Sequence, residues 1–225
     1  MTTPKQARLQ YRLKAHHLPL LLASIASVGI LYVTRPYKDV ISKISFATAY
    51  PALVFLVVTL LIGPWNILRK KRNPVSGDLR RDIGIWAGIL GVLHSVVGQN
   101  VHMRGRPWLY YVYEAKSHHT FPLRHDLFGL TNFTGLFGFL LLTALLATSN
   151  DYSLRTLGTP KWKQLQRWNY AIFAFVAIHA LCFQTIEKQK THFVVFVIIN
   201  LAVGLTLQLL AWYHRRRQRG QVISP

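Results

Sequence analysis

Acidic residues and cysteine are scarce in this chain. Of its 225 residues, 7 are Asp or Glu and 27 are Lys or Arg, so the formal net charge is +20. The lone cysteine, Cys182, excludes an intrachain disulfide and any CxxC metal site. No glycine-rich nucleotide fingerprint occurs, and we expect no flavin or nicotinamide domain on this chain. Candidate ligand residues must therefore be sought among the histidines, of which there are 10.

Long apolar runs, by contrast, are abundant. Hydrophobic residues make up 51% of the chain, and the charges are concentrated between the apolar runs. This pattern is typical of a polytopic membrane protein with charged loops. We predict an all-α membrane protein, a bundle of six transmembrane helices near residues 17–34, 46–64, 82–102, 126–149, 168–186 and 192–213. Gly63-Pro64 is expected to close the second helix.

The basic residues predict how the helices are oriented. Lys and Arg beside membrane helices determine topology, so we expect no nucleic-acid partner despite the positive charge. The two sets of alternate loops and termini carry 18 and 9 Lys or Arg. The positive-inside rule therefore predicts that both termini are cytoplasmic. The expected organisation is a cytoplasmic N-terminus at 1–16, a six-helix domain at 17–214 in the lipid bilayer and a basic cytoplasmic tail at 215–225.

Two histidines, His94 and His179, fall near the middle of the third and fifth predicted spans. Each lies thirteen residues after a polar residue near the start of its span, which is Arg81 for His94 and Gln166 for His179. At the rise of an α-helix, each imidazole is about 20 Å along the helix from that polar residue. Because the two spans run the same way, the histidines should share a depth. An ionisable side chain in a membrane indicates function, and two imidazoles facing each other suit the axial positions of a haem iron.

Glycines accompany His94 along the third span. Gly84, Gly88, Gly91 and Gly98 recur at helical spacing. Small residues let membrane helices pack closely, and a glycine wall would also make room for a flat macrocycle. The stripe, with Gly91 nearest the ligand, is compatible with both.

The remaining histidines carry weaker signals. His16, His17 and His214 flank spans and are expected to be solvated, and His102 marks the outer end of span three. One outer loop combines three histidines with a carboxylate and is a weak candidate for a metal site: His118, His119, His125 and Glu114.

Three stretches resemble the ferric reductase-like transmembrane family. They are RRDIGIWAGILGVLHS (80–95), VTLLIGPW (58–65) and LGTPKWKQLQRWNYAIFAFVAIHAL (157–181). Within that family, the chain is most similar to the haem-binding membrane subunits of periplasmic methionine sulfoxide reductase systems. The resemblance covers about residues 38 to 214. It implies a bacterial inner-membrane protein with b-type haem (heme b) between spans three and five, ligated by His94 and His179. It also exposes a departure, because Gln166 stands where a cytoplasmic-side histidine is usual.

The function expected from these features is electron transfer across the membrane. An iron with two nitrogen ligands has no open position for oxygen activation. The electrons would come from a separate cytoplasmic reductase or from quinol and would leave to an extracytoplasmic oxidoreductase, ferric iron or another oxidant. Since Gln166 is a poor iron ligand, we expect one haem per chain. A flavin or quinone near the basic cytoplasmic ends would then bridge the remaining distance, held by residues such as Arg80, Arg81, Lys161, Lys163 and Arg167.

Two other classes of function stay open. A secondary transporter would be expected to carry buried carboxylates at mid-depth, and the acids here lie at predicted span ends or in loops. A structural or assembly subunit without haem would use the histidines for packing.

Overall fold

The fold is all-helical in the part of the chain that the computed structural model describes, residues 3–37, 39–69, 77–103, 105–114 and 119–221. The helices are α1 (Pro4–Arg12), α2 (Leu18–Thr34), α3 (Val40–Leu68), α4 (Gly77–Gly98), α5 (Leu127–Ala147), α6 (Asp151–Gln166), α7 (Asn169–Ile186) and α8 (Thr191–Gln221). A π-helical turn at Leu13–His17 joins α1 to α2, and a 3₁₀ turn at Pro107–Tyr110 lies in the outer loop. A single β-bridge, Val112 to Leu123, is the only β pairing within those ranges.

Five helical segments are long and apolar enough to cross a membrane. They are Gln6–Thr34, Val40–Leu68, Leu127–Ala147, Asp151–Ile186 and Thr191–Gln218, and each contains one of the predicted spans or nearly all of it. The third predicted span corresponds to α4, which is helical but is not among the five. Its first turns carry four charged residues, Asp78, Arg80, Arg81 and Asp82, and these shorten its apolar stretch. The all-helical membrane architecture is therefore confirmed, and the count of six spans stays a prediction.

The first helix begins earlier than the apolar run alone indicates. Thr3 and Gln6 form a reciprocal capping box at its amino end, which satisfies backbone donors that have no helical partner. Helix continues from there through the π-helical turn to Thr34. Residues 4–16, expected as a cytoplasmic terminus, are thus part of one long helix.

The centre of the bundle is α3. Of its apolar window, 61% is buried, against at most 28% for the other four candidate spans. It packs most extensively against α4 and also contacts α8 and α2, while α5 pairs with α7. The two helices that carry His94 and His179 therefore have different main neighbours, α3 for α4 and α5 for α7.

The prediction that Gly63-Pro64 closes the second helix is wrong, because α3 runs on to Leu68 with Pro51 and Pro64 inside it. A proline cannot donate to the carbonyl four residues earlier, which for Pro64 is that of Leu60. That carbonyl instead accepts a hydrogen bond from Gln208 Nε2 on α8 at 2.7 Å. A neighbouring helix thus satisfies the group that proline leaves free, as membrane bundles allow.

The outward faces of these helices are apolar. Large hydrophobic side chains are more than half exposed on α2 and α8, among them Ile25, Ile30, Leu209 and Trp212. Contiguous apolar surface of this kind is unfavourable in water and suits lipid. The structure therefore fits an integral membrane protein.

Candidate functional site

His94 and His179 face each other inside the bundle. His94 projects from α4 and His179 from α7, and their ring centroids are 6.2 Å apart with an interplanar angle of 69°. Both helices start at the same end of the bundle in the predicted topology. His94 and His179 are equally far along the chain from Arg81 and Gln166, respectively, so the two rings lie at one level.

Each imidazole is oriented by a backbone carbonyl. His94 Nδ1 lies 2.9 Å from the carbonyl oxygen of Ser45 on α3, and His179 Nδ1 lies 2.8 Å from that of Thr131 on α5. A carbonyl can only accept, so Nδ1 carries the proton in each ring. The lone pair is therefore on Nε2, the nitrogen that a metal would take.

A glycine makes room for His179. A Cβ built on Gly135 would lie 2.7 Å from His179 Nδ1, closer than real side chains approach. Only a glycine there lets α7 bring His179 close enough to α5 to bond Thr131. Sequence reasoning missed Gly135, Ser45 and Thr131, because nothing in the chain's periodicity says which carbonyl a buried imidazole will meet.

The histidine pair opens onto a cavity of about 410 Å³. Its walls come from α3, α4, α5, α7 and the outer loop, and most of the lining side chains are apolar. Gly91, predicted to form a smooth wall, lines this cavity, and a Cβ there would meet Leu142 Cδ2 at 2.5 Å. A pocket of this size with a few convergent polar groups is typical of a small-molecule or cofactor site.

Polar residues gather where the cavity reaches the outer end of the bundle. His102 Nε2 lies 3.1 Å from Glu187 Oε1, and the Tyr110 hydroxyl donates to the Gly98 carbonyl at 3.0 Å. His102, considered from the sequence only as an outer-end histidine, lines the same cavity as His94 and His179. Its ring also stacks near Phe183, which in turn contacts His179.

Arg81 and Gln166, the other two predicted cofactor residues, do not line this cavity. Arg81 forms an ion pair with Asp151 at 2.7 Å, and its side chain is largely buried. Gln166 is 3.4 Å from the Ser149 hydroxyl and also contacts Asn169. Both residues therefore lie together with the charged amino end of α6, away from the histidine pair.

A buried charged cluster next to that end was missed by the sequence reasoning. Asp82 is 0% exposed, and its carboxylate is bonded by Arg12 and by His16 Nδ1, with His17 Nε2 at 3.3 Å. The expectation that His16 is solvated is wrong, since its exposure is 7%. Asp82 lies at the start of the third predicted span, as expected, but it is fully buried there. The π-helical turn causes both outcomes, because it turns two adjacent histidines toward α4.

The outer-loop histidines do not assemble a metal site in the part that the structure covers. His119 stacks on Tyr113 at 3.6 Å between ring centroids, and His119 and His125 are 5.8 Å apart. Among the described residues there is no group of three or more side chains that could hold a metal ion, and His118 lies outside those residues.

Comparison of the sequence with those of characterised proteins identifies relatives of this chain. The protein-methionine-sulfoxide reductase heme-binding subunit MsrQ of Salmonella enteritidis PT4 is 28% identical to the chain over 181 residues, which are 80% of each protein. The subunit of the same name from Salmonella arizonae is 26% identical over 167 residues, 73% of this chain and 76% of the relative. The chain is similar to these heme-binding subunits over most of its length. The predicted resemblance to such subunits is thus confirmed, and no family model matches the chain.

Proposed function

We propose that this protein binds one b-type haem with His94 and His179 as the axial ligands. The observation that carries the proposal is the pair of imidazoles with Nδ1–H fixed and Nε2 free. A metal–imidazole bond is about 2 Å long, so two imidazoles that held one metal from opposite sides would have ring centroids about 6 Å apart. The observed separation is 6.2 Å. The name of the relatives, heme-binding subunit, supports the same cofactor.

The residues around the pair fit a haem that is held without covalent attachment. The chain has one cysteine, Cys182, so no paired thiols exist to attach a porphyrin. The apolar lining excludes water and favours the macrocycle, while the two carbonyls keep each ligand ring in position. A haem with both axial positions filled by nitrogen supplies one-electron transfer rather than oxygen activation.

We infer six membrane spans with both termini cytoplasmic, and outward electron flow. In this arrangement α4 crosses the membrane, packed against α3 and α5. A cytoplasmic reductase or membrane quinol reduces the protein, and an extracytoplasmic oxidoreductase accepts the electron. The name of the relatives includes methionine sulfoxide reductase, which supports an enzyme of that class as the acceptor.

A flavin or quinone near the cytoplasmic ends is the proposed bridge from the donor. Of the basic residues considered, Lys161, Lys163 and Arg167 are exposed and able to meet a phosphate or headgroup. Arg80 and Arg81 are already engaged, the first with the Thr59 carbonyl and the second with Asp151. We therefore place the candidate flavin or quinone site at the exposed Lys161, Lys163 and Arg167 and not at Arg80 and Arg81.

Optical spectroscopy of the purified protein tests the proposal. We expect a b-type Soret band and a haem-to-protein ratio near one by pyridine haemochrome. His94→Ala and His179→Ala should each lose most of the haem, because each leaves one axial position unfilled. His119→Ala, which removes an exposed histidine outside the cavity, serves as the control and should keep the wild-type spectrum.

Two results would reject this function. Full haem retention by His179→Ala would eliminate the ligand pair, and a ratio near two would eliminate the single-haem assignment. A protein without any Soret band would favour a structural or assembly subunit, or a transporter.

A further inference from the structure

Arg35 is a buried cation at the outer end of α2. It ends that helix and is 6% exposed. Its guanidinium carbon lies 3.3 Å from the ring centroid of Phe46 and 3.4 Å from that of Phe193, so the group is held between two aromatic faces. Packing of this kind fixes the plane of the guanidinium and leaves its edge for hydrogen bonds.

The edge of the guanidinium is incompletely satisfied. One NH₂ group donates to Gln189 Oε1 at 3.1 Å, and the guanidinium also bonds the Tyr50 side chain. Its Nε has no hydrogen-bond partner. No carboxylate forms an ion pair with Arg35 in the described part of the chain, where the other largely buried arginines, Arg12, Arg81 and Arg124, each have one. Burial lowers the pKa of the Arg35 guanidinium from its ordinary value because the charge loses water, and Tyr37 and Tyr50 offset only part of this effect. A buried, unpaired charge of this kind is expensive and calls for an anion.

Arg35 does not itself line the cavity with the histidine pair but is adjacent to residues that do. Phe46 and Gln189, which contact it, both line the cavity that contains His94 and His179. Ser45, the residue before Phe46, provides the carbonyl that orients His94. The nearest acid that lines the cavity, Glu187, is already paired with His102. An anion for Arg35 must therefore come from the ligand.

We propose that Arg35 binds a propionate carboxylate of the haem at the outer end of the cavity. This inference rests on the proposed function. A haem carries two propionates on one edge, and a guanidinium fork matches a carboxylate with two parallel hydrogen bonds. Gln189 holds one NH₂ group of the guanidinium, and the unpartnered Nε is a donor left for the carboxylate. The outer edge of the ring is thereby fixed, and the iron is kept between the two histidines.

Haem release distinguishes this role from simple packing. The purified holoprotein is loaded with haem b or with its dimethyl ester, in which both propionates are uncharged, and transfer to excess apomyoglobin is timed. Arg35→Gln should release haem b about tenfold to a hundredfold faster than wild type, the usual effect of losing a charge-assisted hydrogen bond. With the dimethyl ester, wild type and Arg35→Gln should release the haem at the same rate. Arg35→Lys should lie between them for haem b, because a lysine keeps the charge without the fork.

Arg124→Gln is the matched control. Arg124 also lies against two aromatic rings at the outer end, Tyr113 and Phe128, but its carboxylate partner is Asp126 at 3.0 Å. Neither of these rings lines the cavity, whereas Phe46 beside Arg35 does. Its release rates should follow those of wild type for both haems.

Three results would overturn the proposal. Arg35→Gln could accelerate release of both haems equally, which indicates packing alone, or it could change neither. If Arg35→Gln does not accumulate, wild type and Arg35→Lys provide the same comparison, and a rate difference that persists with the ester rejects a propionate contact. A wild-type protein that binds neither haem rejects the proposed function together with this inference, whereas failure of the arginine effect alone leaves the histidine ligation intact.

Discussion

At the scale of single residues, the orientation of the two imidazoles depends on backbone carbonyls and on a glycine, not on other side chains. Carbonyl oxygens of Ser45 and Thr131 determine which nitrogen of His94 and His179 bears the proton. Gly135 contributes by having no Cβ where His179 passes. The chemistry of the site therefore rests on backbone positions as much as on the two ligands.

Gly135→Ala should disrupt the site without removing a ligand. The new methyl group would lie 2.7 Å from His179 Nδ1, so the ring must move away and weaken its bond to Thr131. We expect haem affinity to fall about tenfold to a hundredfold, the usual effect of losing the partner that orients a ligand. Soret absorbance per protein, titrated with haem, measures the change.

Gly138→Ala, one helical turn further along α5, is the matched control. Its Cβ would meet Phe175 and Val176 at 3.6 and 3.7 Å, which are ordinary contact distances. Wild-type affinity in Gly138→Ala and a loss in Gly135→Ala is the expected pair of outcomes. Equal affinity in the two variants would contradict the role given to Gly135.

At the scale of elements, the first long helix is fastened to α4 by charge. Asp82 on α4 accepts from Arg12 in α1 and from His16 in the π-helical turn, and Trp86 donates to His17 at 3.3 Å. A fully buried carboxylate is tolerated only with such partners. Asp82 and Trp86 lie one turn apart on the same face of α4. The π-helical turn allows Arg12, His16 and His17 all to reach that face.

Asp82→Asn should strongly destabilise this junction. The substitution removes the closest carboxylate of the buried Arg12 and leaves it only Asp151, at 4.0 Å. Breaking a buried pair from one side usually costs about 3–5 kcal/mol in the free energy of unfolding. Asp78→Asn is the control, because its partner Arg8 is 59% exposed and surface pairs contribute about 0–1 kcal/mol. Thermal denaturation in detergent, followed by size-exclusion chromatography, should show a large loss for Asp82→Asn and little for Asp78→Asn. Similar midpoints for the two variants would refute the structural role of Asp82.

At the scale of the whole molecule, orientation follows from the distribution of charge. The 18 to 9 division of Lys and Arg predicts that the loop between α4 and α5 is extracytoplasmic. The cavity that contains the histidine pair reaches this end through His102, Tyr110 and Glu187. Outward electron flow requires that arrangement, because the acceptor has to approach the cofactor from outside.

Reporter fusions test the orientation directly. A truncation fused after Glu114 should be active with an alkaline phosphatase reporter, which works only outside the cytoplasm, and a fusion at the C-terminus should be active with a cytoplasmic fluorescent reporter. Fusion after Asn150, between α5 and α6, is the internal control and should read as cytoplasmic. A cytoplasmic signal at Glu114 would reverse the direction proposed for the electrons.

Much of the site's framework could be predicted from sequence, and its supporting contacts could not. The third and fifth apolar runs indicated His94 and His179 because a titratable side chain within hydrocarbon is rare. Arg81 and Gln166 were grouped with them through equal spacing along the chain, yet they lie with Asp151 and Ser149 instead. Spacing specifies depth in a helix, but it does not specify which neighbour a side chain will meet.

By itself, then, the sequence determined the helices and the spacing that brings the two histidines together at one level. Backbone groups in a bilayer must bond internally, so long apolar runs become helices whatever surrounds them. Only the tertiary structure decided that Asp82 would be buried and that Arg35 would lie between Phe46 and Phe193 without a carboxylate. It also decided that α3 would continue through Pro64, because Gln208 reaches the Leu60 carbonyl. These outcomes depend on contacts between residues as much as 158 positions apart, such as Arg35 and Phe193, and packing, not local pattern, brings such residues together.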